Sequence, residues 1–144
     1  MRTHLTGISN TILTITECYN YTLHQESWRL YELDNNSNDQ TNQSSCDARN
    51  LKYGWHRFDV GIGTKILSNW INAPNHCGTR SPGWLQGPHP EVDDDIVSQN
   101  LRYYKHYCGD KHGEVLVRNC GNFYTYRFVN IPYWSCQFGI CLTT

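Results

Sequence analysis

Seven cysteines in 144 residues constrain this chain more than any other feature of its sequence. None of them forms a C-x-x-C pair, and the closest two are Cys136 and Cys141. This spacing argues against a zinc ribbon or a thioredoxin-like site. Paired, oxidised cysteines are typical of secreted proteins, so the sequence indicates a secreted, disulfide-bonded extracellular protein. Because the count is odd, at least one thiol is free, pairs with another chain, or has its partner outside this sequence.

The composition favours strands over a helical bundle. Aromatic residues make up 13% of the chain, with ten Tyr and five Trp against a single Met, and aromatic side chains are enriched in strands. A length of 144 residues is typical of one domain. We therefore predict a single domain over residues 1–144. Its class is mainly β, or α+β, with small disulfide-stapled antiparallel sheets, long irregular loops and little helix.

The charge and the apolar runs exclude two classes of partner. The formal net charge is -1 and the sequence pI is about 6.6, so no basic field is present to attract nucleic acid or anionic lipid. No apolar run approaches the roughly 18 to 20 residues that span a bilayer, which excludes membrane insertion. After Met1-Arg2 the chain is polar and rich in threonine. We take the chain to be a mature or excised fragment without a signal peptide.

Local patterns predict four strands and one irregular segment. The β-rich residues 11–17 predict a strand that leads to Cys18, and residues 51–60, with Tyr53, Trp55 and Phe58 at roughly alternating spacing, predict a half-buried strand. Residues 114–118 and 123–129 predict two strands joined in a hairpin by the turn at residues 119–122. Residues 77–90 hold three of the five prolines. They predict an irregular segment pinned by Cys77 and a buried Trp84.

Three N-x-S/T sequons are present, at Asn20, Asn35 and Asn42. The last two lie in residues 34–45, which are almost wholly polar and predict a solvated loop. Glycosylation requires such a placement, and an unglycosylated Asn-rich loop is the alternative.

The sequence contains no recognisable catalytic or metal-binding constellation. None of the seven histidines has the spacing of a zinc enzyme, so we predict no metal and no cofactor. Residues 93–95 are three aspartates that lack the glycine and distal glutamate of an EF-hand loop, and a solvated acidic turn is the better interpretation. Ser81 and Ser98 have no nucleophile-elbow context. Tyr133 and Trp134, in a proline-containing loop, are the candidates for an exposed aromatic contact.

Several short motifs occur in an order that resembles a known family. They are Trp28-Arg29, Cys46-Asp47, residues 54–58 (Gly-Trp-His-Arg-Phe), Cys77-Gly78-Thr79, residues 84–90 (Trp-Leu-Gln-Gly-Pro-His-Pro), residues 96–98 (Ile-Val-Ser), residues 117–120 (Val-Arg-Asn-Cys), residues 123–126 (Phe-Tyr-Thr-Tyr), and Cys136 with Cys141. Together they resemble the uromodulin-type cysteine-rich module, a decoy-module domain of zona-pellucida-associated glycoproteins. The resemblance covers residues 18–141.

The resemblance implies a disulfide pattern that the cysteine count alone does not specify. It pairs Cys18 with Cys120, Cys46 with Cys136, and Cys77 with Cys141, and it leaves Cys108 as a free or intermolecular thiol. On this pattern the C-terminal segment is a latch, so truncation before Cys136 should destroy the fold. The family has further cysteines near residues 69–71 and 101–103, where this chain has none. We expect Trp70, Tyr103, Tyr104 and Tyr107 to replace those covalent links with buried aromatic area.

The functional hypothesis is a non-enzymatic extracellular glycoprotein module that displays N-glycans or a rigid surface for adhesion or recognition. Its expected partners are glycan-binding proteins or other extracellular proteins, with self-association as a further option. In the family, this module presents a decoy glycan for microbial lectins from the strand that corresponds here to residues 124–129. That strand has no sequon in this chain, so the role does not transfer. The alternatives are a carbohydrate-binding module and a structural subunit of an extracellular matrix or filament.

Overall fold

Strands dominate the part of the chain that the computed structural model describes, which is residues 15–33, 47–104, 112–131 and 138–144. The strands are β1 (Thr22–His24), β2 (Trp55–Phe58), β3 (Lys65–Ile66), β4 (Ser81–Gln86), β5 (Val97–Tyr103), β6 (His112–Asn119), β7 (Tyr124–Asn130), β8 (Phe138–Ile140) and β9 (Leu142–Thr143). A single short α-helix, α1 (Asp47–Asn50), and three 3-10 turns (Thr16–Cys18, Ser27–Arg29 and Tyr31–Leu33) complete the described elements. The predicted class, mainly β with little helix, is confirmed. No helix in these ranges is long and apolar enough to cross a membrane.

Seven of the strands form one sheet in the order β1-β2-β7-β6-β5-β4-β8. Its interior is antiparallel, and the pair at each margin, β1 with β2 and β4 with β8, is parallel. The two remaining strands, β3 and β9, form a small antiparallel pair. Since β8 and β9 are the last two strands of the chain, the C-terminus pairs with β4 and β3 rather than with its sequence neighbours.

The predicted hairpin between β6 and β7 is present and lies at the centre of the sheet. Val117 opposes Tyr126 in its register, and the N–H of Cys120 donates to the carbonyl of Phe123 at 2.8 Å to close the turn. Gly121 takes a φ of 96° there, a left-handed conformation that glycine adopts without strain. The hairpin strands run from residue 112 to 130, a little longer than predicted.

One main core and one smaller cluster hold the elements together. The main core consists of Leu51, Phe58, Ile66, Leu85, Leu101, Tyr103, Val115, Val117, Tyr126, Phe128, Phe138, Ile140 and Leu142. The smaller cluster consists of Leu67, Ile71, Cys77, Trp84 and Cys141. Trp84 is therefore buried as predicted, and it lies beside two cysteines from opposite ends of the sequence.

The prediction that residues 77–90 are irregular is wrong for β4, which is a strand between β5 and β8. Pro82 is tolerated because its carbonyl accepts the N–H of Tyr104 at 2.9 Å. The N–H that proline lacks would lie on the same side of β4, at the end of its pairing with β5. Only one hydrogen bond of that pairing is therefore lost. A Cβ on Gly83 would lie 2.6 Å from the ring of Phe138. Glycine at this position thus allows β8 to pack closely on β4.

The strand predicted over residues 51–60 is shorter and buries a different set of side chains. It begins at Trp55, after a turn in which Gly54 has a φ of 79°. His56 and Phe58 face the core, Trp55 is half-buried, and Tyr53 is 79% exposed. The predicted alternation differs from the observed one because a turn, not a strand, precedes Trp55, so Tyr53 is not part of the period-2 pattern.

The prediction at residues 11–17 is wrong for its last residues, because Thr16 and Glu17 lie in a 3-10 turn. Residues 11–14 lie outside the described ranges. Among the expected aromatic replacements for disulfides, Tyr103 is buried at 6% exposure, but Trp70 is 81% exposed. The expectation for Trp70 is therefore wrong. Tyr104 is half-buried, and Tyr107 lies outside the described ranges.

Candidate functional site

Asn20 is the one sequon asparagine within the described residues, and it lies on an exposed bend. Its backbone N–H donates to the carbonyl of Thr16 at 2.7 Å, which fixes the bend to the end of the first 3-10 turn. Two residues later Thr22 begins β1, at a margin of the seven-stranded sheet. The sequon therefore joins a pinned turn to an edge strand and presents its asparagine to solvent.

A disulfide between Cys18 and Cys120 fixes the same bend to the β6–β7 hairpin. The two Cα atoms are 5.7 Å apart, and the bond joins residues separated by 102 positions. The Sγ of Cys120 lies 3.7 Å from the hydroxyl of Thr125. This is one of the pairings that the family resemblance implies.

The middle residue of the sequon, Tyr21, is held by a cation and an aromatic ring. The Nη1 atom of Arg57 donates to the hydroxyl of Tyr21 at 3.0 Å. The same guanidinium lies 3.9 Å from the ring centroid of Phe123, and the Tyr21 and Phe123 rings meet edge-on at 5.7 Å. Because Phe123 closes the β6–β7 turn and Arg57 lies on β2, this contact ties the sequon to two strands.

An ion pair holds the turn that precedes the sequon. Glu17, in that turn, accepts from the Nε of Arg118 at 2.8 Å, and both side chains are largely shielded from solvent. A second carboxylate, that of Asp95, lies 3.4 Å from Nη2 of the same arginine. Asp95 itself is exposed, so this outer contact adds little to stability. The ion pair of Glu17 with Arg118 thus fixes the 3-10 turn before Asn20 to β6.

The second disulfide joins Cys77 to Cys141 near the opposite margin of the sheet, with a Cα–Cα distance of 5.2 Å. It also matches a pairing that the resemblance implies. The backbone of Cys141 donates to the carbonyl of Gly83 at 3.0 Å and accepts from the N–H of Leu67 at 2.9 Å. The end of the chain is therefore joined to β4 both covalently and by backbone hydrogen bonds.

Two successive residues at this disulfide have left-handed backbone conformations. Cys77 has a φ of 59° and Gly78 a φ of 69°. A Cβ on Gly78 would lie 2.3 Å from Cε3 of Trp28. The Trp28-Arg29 and Cys77-Gly78-Thr79 motifs of the sequence are thus in direct contact, and Trp28 packs on a surface that only glycine provides.

A buried ion pair covers the free edge of β8. Arg29 is 2% exposed and Asp47 is fully buried. The carboxylate accepts from both terminal guanidinium nitrogens, at 2.6 and 2.9 Å, and from the N–H of Ile140 at 2.8 Å. Burial alone would lower the pKa of Arg29, but the adjacent carboxylate more than offsets this and raises it. The pair therefore satisfies a backbone donor that has no neighbouring strand among the described residues.

Two histidines at the β1–β2 pair share a hydrogen bond. Nε2 of His24 lies 2.9 Å from Nδ1 of His56, and Nε2 of His56 lies 2.9 Å from the carbonyl of Tyr53. Since a carbonyl only accepts, His56 donates from Nε2 and accepts at Nδ1 from His24. Burial, and then the proximity of His24, lowers the pKa of His56 to about 4. Burial, and then Arg29, lowers the pKa of His24.

A third histidine is half-buried against the core. Nε2 of His89 lies 2.8 Å from the hydroxyl of Tyr126, which also accepts from the N–H of Ile66 at 3.1 Å. Burial, and then Lys65, lowers the pKa of His89 to about 4. Burial raises the pKa of Tyr126 far above its ordinary value. The phenol therefore donates its proton to a neutral imidazole, which is a structural arrangement.

The remaining predicted site residues lie outside the described ranges. They are Cys46, Cys108, Cys136, Asn35, Asn42, Tyr133 and Trp134. The Cys46–Cys136 pairing therefore stays a prediction. Asp94 bonds the N–H of Glu91 at 2.8 Å within an exposed turn, in agreement with a solvated acidic loop. Within the described residues no group of three or more His, Cys, Asp or Glu side chains is placed to hold a metal.

Sequence reasoning missed the residues that support the sequon and the sheet edge. Arg29 and Asp47 each belonged to a quoted motif, but their mutual contact had no signature in spacing, because 18 residues separate them. Arg57 also lay within a motif, and its contact with Phe123 was not predicted. The only available signal was the position of each charged residue within a family motif, Arg29 after Trp28 and Asp47 after Cys46.

The chain matches one family and several known glycoproteins. The family model described as the uromodulin-like domain matches residues 56–142. The chain belongs to the uromodulin-like domain family. It is 33% identical over 123 residues to the human pancreatic secretory granule membrane major glycoprotein GP2, covering 84% of this chain and 21% of that protein. It is 28% identical over 137 residues to rat uromodulin, covering 94% of this chain and 19% of that protein.

The chain spans about a fifth of the length of these two relatives. Membership of the uromodulin-like domain family, together with disulfides that form in oxidising compartments, indicates an extracellular glycoprotein module.

Proposed function

We propose that this uromodulin-like domain is a non-enzymatic module that displays an N-glycan from Asn20 on a rigid surface, for recognition by extracellular glycan-binding proteins. The observation that carries the proposal is the placement of Asn20. It is exposed on a bend that is fixed two residues earlier by the Cys18–Cys120 disulfide. It is fixed one residue later by the contact of Tyr21 with Arg57.

A rigid attachment point has a physical consequence for recognition. A glycan on a mobile tail samples many orientations and loses them on binding, which costs free energy. A glycan attached beside a disulfide and a packed aromatic ring starts from a fixed base, so less of that cost remains. The bend also leads into β1, at one margin of the seven-stranded sheet, and Asn20 is exposed there. Glycans at Asn35 and Asn42 are part of the same proposal.

The experiment is site-specific glycan analysis of the secreted chain. Three variants form a matched set, because Thr22 is both the third sequon residue and part of β1. Asn20→Gln and Thr22→Val each remove the sequon and should lose one glycan, seen as a smaller mass decrease than that of the wild type on enzymatic deglycosylation. Thr22→Ser keeps the sequon and should retain it. Secreted wild-type chain that is bare at Asn20 would end the proposal for this site.

An alternative function, carbohydrate binding through exposed aromatic side chains, has one supporting observation. Trp70 and Tyr53 are among the most exposed large side chains of the described ranges, and exposed aromatic rings commonly stack on sugars. A glycan array with correctly oxidised chain tests this alternative, with Trp70→Ala as the comparison. Binding that Trp70→Ala abolishes would favour it over glycan display.

The third possibility is a structural subunit joined to other copies. Cys108, its candidate for a cross-link, lies outside the described ranges. Non-reducing electrophoresis of wild type and Cys108→Ser tests it. A dimer band present only in the wild type would support a covalent assembly.

A further inference from the structure

We propose that Asn20 accepts its glycan only while the Cys18–Cys120 disulfide is open, so that the order of glycosylation and disulfide closure decides whether the site is occupied. This inference rests on the proposed function, because it requires that Asn20 is an acceptor. It adds that closure of the Cys18–Cys120 disulfide controls whether Asn20 is glycosylated.

The chemistry of the transfer sets what the acceptor must supply. The side-chain Nδ2 of Asn20 forms a bond to the anomeric carbon of an oligosaccharide carried on a lipid diphosphate. The bond from that carbon to the phosphate oxygen breaks, the lipid diphosphate leaves, and Nδ2 releases one proton. Because the acceptor is Asn-x-Ser/Thr rather than any asparagine, the oligosaccharyltransferase has to contact the asparagine and the threonine at the same time. It must therefore enclose all three residues of the sequon and the backbone between them.

In the folded chain all three residues are already engaged. The N–H of Asn20 is bonded to Thr16. The ring and hydroxyl of Tyr21 are held by Phe123 and Arg57. Thr22 is paired with His56 in the parallel ladder. The exposed parts of Asn20 and Thr22 are compatible with an attached glycan, but the tripeptide cannot enter a second protein's cleft without breaking these contacts.

The disulfide locks this arrangement from the N-terminal side. Cys18 is two residues from Asn20, and its partner lies across the sheet on the β6–β7 turn. Opening the sequon with the disulfide closed requires β1 to leave β2 while the bend stays attached to residue 120. With the disulfide open, the whole segment from the 3-10 turn to β1 can leave the edge of the sheet, because β1 is only three residues long.

The order of synthesis leaves a period in which the sequon is open. Arg57 follows Tyr21 by 36 residues, and Cys120 follows Cys18 by 102. At synthesis rates of about 5–20 residues per second, the sequon precedes its last partners by roughly 5 to 20 s. Disulfide formation then takes seconds or longer. The acceptor is therefore complete well before the structure that closes it.

The test uses unglycosylated wild-type chain, partly reoxidised so that one sample contains molecules with and without the Cys18–Cys120 bond. The sample is incubated with purified oligosaccharyltransferase and a lipid-linked oligosaccharide. Free thiols are alkylated before the incubation, so that the two disulfide pools stay fixed, and denaturation stops the transfer. Peptide mass spectrometry then scores Asn20 occupancy separately in disulfide-linked and alkylated Cys18 peptides. We expect occupancy at least about tenfold higher in the alkylated pool, since transfer to the linked pool requires local opening.

Two variants separate the local effect from general unfolding. Cys18→Ser with Cys120→Ser should be glycosylated in every molecule that meets the enzyme. In Cys77→Ser with Cys141→Ser, the molecules that retain the Cys18–Cys120 link should stay protected. Equal occupancy in linked and alkylated pools of the wild type overturns this inference but leaves Asn20 an acceptor. No transfer to either pool overturns the proposed function of Asn20 as well.

Discussion

Asp47 accepts both terminal nitrogens of Arg29, at 2.6 and 2.9 Å, in a site closed to solvent. The pair stands where another strand would otherwise lie. Because Cys141 donates to Gly83 of β4, strand alternation directs the N–H of Ile140 to the outer side of β8. There the carboxylate accepts it. Two side chains thus protect an edge that would otherwise be open to pairing with other chains.

Because the ion pair is buried, mutation of Asp47 should destabilise the fold much more than mutation of Glu26, the other carboxylate that bonds Arg29. Asp47→Asn leaves the guanidinium of Arg29 buried without its main counter-charge and should lower the free energy of unfolding by about 3–5 kcal/mol. Glu26→Gln is the control, because Glu26 bonds the Nε of the same arginine but is 37% exposed; its cost should stay below about 1 kcal/mol. Urea unfolding measures both. Equal costs for the two variants would show that burial of the pair is not what matters.

Three histidines with lowered pKa values predict a loss of stability in acid. The folded-state pKa values of His56 and His89 are about 4, below the ordinary value of about 6.5 in the unfolded chain. The unfolded chain therefore binds more protons between these values. The stability contributed by the neutral imidazoles is fully present above about pH 6.5 and is lost as the pH falls to about 4.

The acid effect is measured by comparing urea unfolding at about pH 7 and about pH 4.5. His89→Gln should reduce the difference between the two pH values, because one titrating group is removed while an amide can still meet the hydroxyl of Tyr126. NMR titration of the imidazole signals provides an independent check. A His89 signal that titrates at its ordinary pKa would contradict the burial described for it.

The contact of Trp28 with Gly78 predicts that this glycine is irreplaceable. Gly78→Ala adds a Cβ that meets the indole at 2.3 Å and sits at a φ of 69°. Gly121→Ala is the matched control, since its φ is 96° but a Cβ there meets nothing within 4 Å. The control should cost about 1–2 kcal/mol from backbone strain alone, and Gly78→Ala should cost at least about 3 kcal/mol. Similar midpoints in thermal unfolding for the two variants would argue against the close packing.

Removing the C-terminal strands should destabilise the fold far more than removing the disulfide that attaches them. A chain that ends at residue 131 lacks β8, β9 and Cys141 and should not fold, which near-ultraviolet circular dichroism would show as a featureless spectrum. Cys77→Ser with Cys141→Ser keeps both strands. It should fold with a loss of about 4 kcal/mol, the loop-closure value for a separation of 64 residues. A folded truncated chain would disprove the latch.

The sequence predicted what depends on local pattern and on family resemblance. The class, the β6–β7 hairpin and the burial of Trp84 followed from residue types, and the resemblance supplied two pairings that the structure contains. The local pattern did not predict contacts between residues that are far apart in the sequence. β4 was hidden by Pro82 and Gly83, whose local preferences are overridden by β5 and β8. Trp70 was expected to be buried because it lies where the family has a further cysteine, and its 81% exposure shows that its side chain does not replace that link.

The candidate site was found only in part for the same reason. An Asn-x-Thr pattern marks Asn20, but the contacts that hold it come from Arg57, Cys120 and Phe123. These partners are 36 to 102 positions away from their contacts in the sequon segment. Spacing within a motif carries no information on contacts of that range, whereas a folded sheet brings them together.

One peptide tests the central claim, that a long-range disulfide holds a glycan-bearing bend in an extracellular module. Trypsin cleaves after Arg2, Arg29, Arg118 and Arg127, so Cys18 and Asn20 share one peptide and Cys120 lies in another. Mass spectrometry of the secreted chain without reduction should find residues 3–29 linked to residues 119–127, with an N-glycan on Asn20. Recovery of the two peptides unlinked, with an unmodified Asn20, would contradict the account.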